Sequence, residues 1–328
     1  MTSTFPCAPR RRPSAAAAAL RRLALTFTLA LAGLLPSAAL TAAPAGAAAA
    51  TTSAPAPAAP APVAHAPVSP NALGSVVRLP DGRLLAPDIA RIVTRGELGV
   101  AMLNVDTPPF FSFDDQGRWS GLEVNLAQSI ADELGVKLRV NRDAATFNAV
   151  VDLIARGEAD IAISKLSRTL GRTQTIAFSA PYLTLNHALI LNRVKFAQLA
   201  RGRPLPEVVR SFDGSIGVIA KSSFAYYARR NFPKAKIEEF PTWNDVLAAV
   251  FDGSVTAAYR DEFEVKRVLK ADPTVALALR TVMLKDLEDT LGVGVSVADP
   301  NLLAFVNEFL AQRTEKLDIT RVLQALDK

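Results

Sequence analysis

The chain is poor in the residues that most chemistry uses. It has one cysteine and two histidines in 328 residues. Cys7 lies ahead of an apolar run and would leave with a cleaved leader, so the mature chain would have no disulfide, thiol nucleophile or thiolate metal site. His65 falls in a low-complexity stretch and His187 stands alone in an apolar one. A Ser-His-Asp triad or a His/Cys zinc site therefore lacks its raw material. Lasting basic charge is also missing. The formal charge is +6, but Arg10, Arg11, Arg12, Arg21 and Arg22 all precede Ala47, with no acid among them; the remainder holds 32 basic against 31 acidic residues. No basic run is left to suggest a nucleic-acid surface. After the leader no stretch approaches the ~20 apolar residues that span a bilayer.

The features that are present begin with that leader. Five arginines, an apolar run over residues 23–35 and the small residues Ala45, Gly46 and Ala47 read as a secretory signal peptide, residues 1–47. Residues 48–87 begin Ala/Pro-rich and read as a disordered tether, with a Pro80-Asp81-Gly82 turn near their end. Alternating helix and strand patterns start after it. Residues 97–103, 136–140 and 159–163 read as strands, with Thr146 capping a helix that Gly157 ends. Ser120-Gly121-Leu122-Glu123 reads as a capping box for a helix that Gly135 stops. The same pattern recurs: a strand at 215–220, a helix capped by Thr242 and ended by Gly253, and a strand at 255–259. The pattern implies two βαβ-like halves with parallel sheets, joined by an extended stretch at 185–193.

Open α/β sheets bind ligands beyond the carboxyl ends of their strands. There the chain places Ser164-Lys165-Leu166-Ser167-Arg168 and Arg172 in one half, and Ser223 and Arg260-Asp261-Glu262 in the other. Guanidinium and hydroxyl groups suit a carboxylate, helix N-terminal amides an anion, and a carboxylate an ammonium. Together they describe a clamp for a zwitterion. Other readings stay open: Asp261 also fits a helix N-terminal acid, Phe147 the core, and Lys165 and Arg168 plain surface charges.

Several stretches in this order resemble the bacterial extracellular solute-binding proteins of family 3, the periplasmic amino-acid receptors of ATP-driven importers. They include Pro108-Pro109-Phe110, Gly121-Leu122-Glu123-Val124-Asn125-Leu126-Ala127 and Gly157-Glu158-Ala159-Asp160-Ile161. Leu166-Ser167 with Thr169 and Arg172, then Ile176-Ala177-Phe178-Ser179-Ala180-Pro181-Tyr182, Gly217-Val218-Ile219 and Gly292-Val293-Gly294-Val295 complete the match. The resemblance implies an α/β, type II periplasmic-binding-protein-like fold of two open lobes joined by two crossing hinge strands. One lobe is expected at residues 88–183 plus 291–328, the other at 184–290. It implies a monomer without cofactor or metal, delivering an amino-acid-like ligand to an inner-membrane ABC permease.

Residue by residue, the resemblance makes Arg172 the carboxylate anchor and Ser167 its helper. Ser164 meets the ligand ammonium, Ser223 donates a helix-start amide, Asp261 takes the ammonium and Phe147 packs on ligand carbons. The chain also departs from the pattern. Lys165 stands where a small residue is usual, Arg168 where an apolar one is. Thr107 replaces a second aromatic, for which Phe110 or Phe111 are candidate substitutes. Asn104, at the side-chain end, is neutral and argues against a Lys or Arg ligand; Lys165 hints at an acidic one. Two other readings share the fold: a periplasmic cyclohexadienyl dehydratase, which needs an acid or base such as Glu239 or Glu262, and a partner that presents ligand to a membrane sensor.

Overall fold

The computed structural model describes residues 76–114 and 116–326. The expected signal peptide, residues 1–47, and the tether as far as residue 75 lie outside the described residues. The tether expectation fails for residues 76–87. Val77–Arg78 pairs antiparallel with Leu84–Leu85, and the helix Pro87–Arg95 comes next. The turn between the strands makes this possible. Gly82 takes φ +87°, and the Asp81 carboxylate accepts from Arg83 N at 3.0 Å and Arg83 Nε at 2.7 Å.

Two five-stranded sheets carry the fold. The first runs in the order Lys137–Ala144, Glu97–Leu103, Ile161–Ala162, Gly294–Ser296, Ile176–Phe178. The second runs Lys236–Phe240, Ser215–Ile219, Ala257–Asp261, Leu183–Asn192, Leu279–Leu291. Neither is wholly parallel, contrary to the sequence reading. In each, three strands linked through helices are parallel, a fourth pairs antiparallel with them, and the fifth pairs antiparallel with the fourth.

The first sheet packs into one core that includes Leu98, Val100, Leu126, Ile130, Ile154 and Leu302. The second is covered on both faces. Along Leu183–Asn192, Leu189 and Leu191 enter one cluster while Ala188 and Ile190 enter another, the period-two alternation of a strand between two layers. The two long strands tie the halves together. Leu183 faces Leu291 in register, and both lie in the first core, with Leu185. Beyond them the same strands belong to the second sheet. The result is two α/β lobes joined by two crossing strands.

Local capping matches the sequence in most places. Thr146 accepts from Ala149 N, and Thr242 forms a full capping box with Asp245. Ser120-Gly121-Leu122-Glu123 is the exception. Gly121 is the cap of the helix Leu122–Leu134, and no side chain caps it. Glu123 turns inward instead, for a reason found in the cleft.

Candidate functional site

The carboxyl ends of the strands from both sheets converge on one cleft. The turn after Ile161–Ala162 carries Ser164, Lys165 and Ser167; the end of Ala257–Asp261 and the helix Glu262–Ala271 carry Arg260, Asp261, Glu264 and Arg267.

Lys165 is the centre of this arrangement. Its φ is +49°, a left-handed conformation that costs a non-glycine residue about 1 kcal/mol or more. Glu123 holds it there: Lys165 N donates to Glu123 Oε1 at 2.8 Å and Oε2 at 3.0 Å, and Tyr182 OH donates to Oε1 at 2.5 Å. Those donors draw Glu123 away from the helix end, and burial pushes its carboxyl up to about 7. The Lys165 side chain crosses to the other lobe. Its Nζ lies 3.0 Å from Asp261 Oδ2 and 2.9 Å from Glu264 Oε1, and it sits over the rings of Phe110 and Phe263. All three charged groups are buried. Burial alone would raise the Glu264 carboxyl, but Lys165, Arg260 and Arg267 outweigh it and hold it below the usual range.

A second contact crosses the cleft through Ser167. Its Oγ lies 2.8 Å from Ser223 Oγ and donates to Asp289 Oδ2 at 2.9 Å. Asp289 is buried, which raises its carboxyl to about 6, with Asp261 adding to the effect. Arg172 lies nearby, buried, with only uncharged acceptors: Ser167 O at 2.9 Å and Asn148 Oδ1 at 3.1 Å. Burial lowers its guanidinium to about 10.

Among the described cations of the cleft, Arg260 is the least satisfied. It is 6% exposed, and its guanidinium lies among Phe147, Phe224 and Trp243 at 5.7, 5.8 and 5.7 Å. Neither Nε nor Nη1 has a hydrogen-bond acceptor, although Nε comes within 3.4 Å of Asp261 Oδ2. It lines a cavity of about 350 Å³ that both lobes wall, with Val105, Thr107 and Phe147 on one side and Ile219, Trp243 and Arg267 on the other. Phe147 and Arg260 also border a space of only about 10 Å³ beside Lys165, Ser167 and Asp289. Past Ser222 and Ser223 lies a further cavity of about 260 Å³, bordered by Arg172.

The sequence matches the profile of the bacterial extracellular solute-binding proteins, family 3, over residues 100–325. This chain belongs to that family. Among its relatives is a membrane-bound lytic murein transglycosylase F from Idiomarina loihiensis, 29% identical over 69% of this chain and 48% of the relative. The chain thus spans about half the length of that relative. A lysine/arginine/ornithine-binding periplasmic protein from Escherichia coli is 27% identical over 62% of this chain and 77% of its own length. Among solved structures, an ancestral amino-acid-binding protein, a precursor of cyclohexadienyl dehydratase, is 26% identical with a TM-score of 0.57, covering 73% of this chain and 99% of that one. The fold is that of the type II periplasmic binding proteins.

Against the family expectation, the cleft gathers some residues and releases others. Arg172, Ser167, Ser223, Lys165, Asp261, Phe147 and Thr107 all border its cavities. Ser164 does not serve as expected. It is fully buried, and its hydroxyl accepts from Leu103 N at 2.9 Å, tying the turn to the end of the strand Glu97–Leu103. Asn104 is exposed, and its backbone amide donates to Ala144 O. Phe110 and Phe111 are fully buried in the core, Phe110 against Lys165 and Phe263, so neither replaces the aromatic missing at Thr107. Asp261 is not a free acceptor: Oδ1 caps the helix Glu262–Ala271 and Oδ2 holds Lys165. Ser223 is the first residue of the helix Ser223–Asn231, whose cap is Ser222. The two acids considered for a dehydratase are engaged elsewhere, Glu239 with Arg229, and Glu262 with Asn186 and Lys266.

Sequence reasoning places Arg260 at a strand end without giving it a role of its own, and misses Glu264, Arg267, Trp243 and Asp289. Asp261, Glu264 and Arg267 repeat at three-residue spacing, one face of a helix opening at a strand end, and that signal is present in the sequence. Asp289 has no local signal, since a distant strand brings it in.

Proposed function

We propose that this protein is an exported solute receptor that captures a small carboxylate-bearing molecule between its lobes and hands it to an inner-membrane permease. The observation that carries this reading is Arg172, a buried guanidinium at the cleft whose acceptors are all uncharged. A buried guanidinium with no charged hydrogen-bond acceptor is costly, and a ligand carboxylate would supply one in bidentate geometry. The amide end of the helix Ser223–Asn231 borders the same cavity as Arg172 and can share it. The family's extracellular character and the leader at residues 1–47 support export. The amino acids named for its relatives support the size and class of the solute.

The lobes in this reading are residues 88–183 plus 291–328, and 184–290, hinged where Leu183 meets Leu291. Closure brings Ser167 to Ser223 and Asp289, and Lys165 to Asp261 and Glu264. A solute that contacts both sides stabilises only the closed form. The test is a thermal-shift screen of the twenty amino acids and a set of small mono- and dicarboxylates. At least one should raise the melting temperature in proportion to the logarithm of its concentration. A flat response to all of them at millimolar concentration counts against the proposal.

A further inference from the structure

We propose that the solute is an organic anion carrying one or more carboxylates and no ammonium, a 2-oxo acid or a dicarboxylate, because Lys165 already fills the place at which an ammonium would be held. The inference rests on the proposal that a carboxylate solute is captured, and narrows its chemistry.

A ligand ammonium needs a carboxylate whose charge is not already answered. On this side of the cleft the carboxylates are Asp261 and Glu264, and Lys165, Arg260 and Arg267 already answer them. Asp261 Oδ1 accepts from Glu264 N at 3.2 Å, and Oδ2 from Lys165 Nζ at 3.0 Å. Glu264 Oε1 accepts from Lys165 Nζ at 2.9 Å, and Oε2 from Arg267 Nη2 at 2.7 Å. Asp289, across from them, accepts from Ser167 Oγ and, at 3.4 Å, from Tyr227 OH. The internal ammonium is also well housed. The Lys165 side chain is 3% exposed, between two aromatic rings, and its backbone is pinned by Glu123. An incoming amine would have to expel it, and separating one member of a buried ion pair is strongly unfavourable.

Two guanidinium groups of the cleft lack a full set of charged acceptors. Arg260 is a buried guanidinium with two nitrogens lacking acceptors, and it lines the larger cavity. Arg172, on the other side of the Ser222–Ser223 step, has uncharged acceptors only. A carboxylate satisfies either; an ammonium satisfies neither.

Titration calorimetry of the full folded chain with matched pairs decides the matter: 2-oxoglutarate against glutamate, succinate against aspartate, phenylpyruvate against phenylalanine, pyruvate against alanine. In whichever pair binds, the member without the ammonium should bind at least tenfold more tightly. Lys165→Ser, which frees Asp261 and Glu264, should reverse that preference. Tighter binding of the amino member by the unmodified chain overturns this inference and leaves solute capture standing. A folded Lys165→Ser chain that keeps the original preference also overturns it. If that variant does not fold, the pairs measured on the unmodified chain decide alone. Absence of binding by every pair and by all twenty amino acids overturns both readings.

Discussion

Gly121 and Glu123 lie two residues apart and show how much single positions decide here. Gly121 has φ +121°, and a Cβ there would lie 2.3 Å from Phe110 O. Phe110 is the floor of the Lys165 site, so the backbone cannot move aside freely. Gly121→Ala is expected to lower unfolding free energy by about 3 kcal/mol in urea titrations, given the cost of such backbone strain; a loss under about 1 kcal/mol would contradict the packing described. Glu123 links stability to pH. Its folded carboxyl is raised to about 7 by burial, from an ordinary value of 4.5. Between those values the folded chain keeps a proton that the unfolded chain has released. Stability from this group is therefore fullest below about pH 4.5, declines as pH rises, and levels off above about pH 7. Glu123→Gln removes the titration and keeps an acceptor for Lys165 N. The stability difference, native minus variant, should fall across that window; a difference independent of pH would contradict the assignment.

At the scale of elements, most helix and strand positions are legible because their signals are local. Thr146 and Thr242 cap, Gly135 and Gly253 stop helices in left-handed conformation, and runs such as residues 97–103 bury on both faces. The capping box expected at Ser120 does not form because its glutamate has better donors inside, on segments more than forty residues away. The same difference separates the halves of the site. Arg172, Ser167 and Ser223 follow buried strands within ten residues and lie in stretches that resemble the family. That Lys165 reaches Asp261, 96 residues on, cannot be read from local sequence, since it depends on the two lobes meeting. Asp289 arrives on the strand Leu279–Leu291, just past a register shift between Leu284 and Glu288. It faces Asp261, Lys165, Arg172, Ser167 and Tyr227, and titrates near 6. When ionised it opposes an anionic solute. Affinity for a carboxylate that stays ionised should rise about fivefold from pH 7.5 to 5, on the order of 1 kcal/mol for one like charge at a distance. Asp289→Asn should flatten that dependence; an unchanged slope would remove Asp289 from the site.

For the whole molecule, the sequence pattern leads to two lobes and two crossing strands, and the structure has both. The pattern does not carry the balance of charge in the cleft, where Lys165 meets Asp261 and Glu264, Arg260 keeps two nitrogens without acceptors and Arg172 meets only uncharged ones. Binding of a carboxylate through Arg172 is the central claim. Calorimetric titration of the best-stabilising solute into the native chain and into Arg172→Ala tests it most directly. The expected result is a saturable 1:1 isotherm for the native chain and at least a hundredfold weaker binding for the variant, since a charge-assisted bidentate pair is worth on the order of 3 kcal/mol. Equal affinity in a folded Arg172→Ala chain would contradict it.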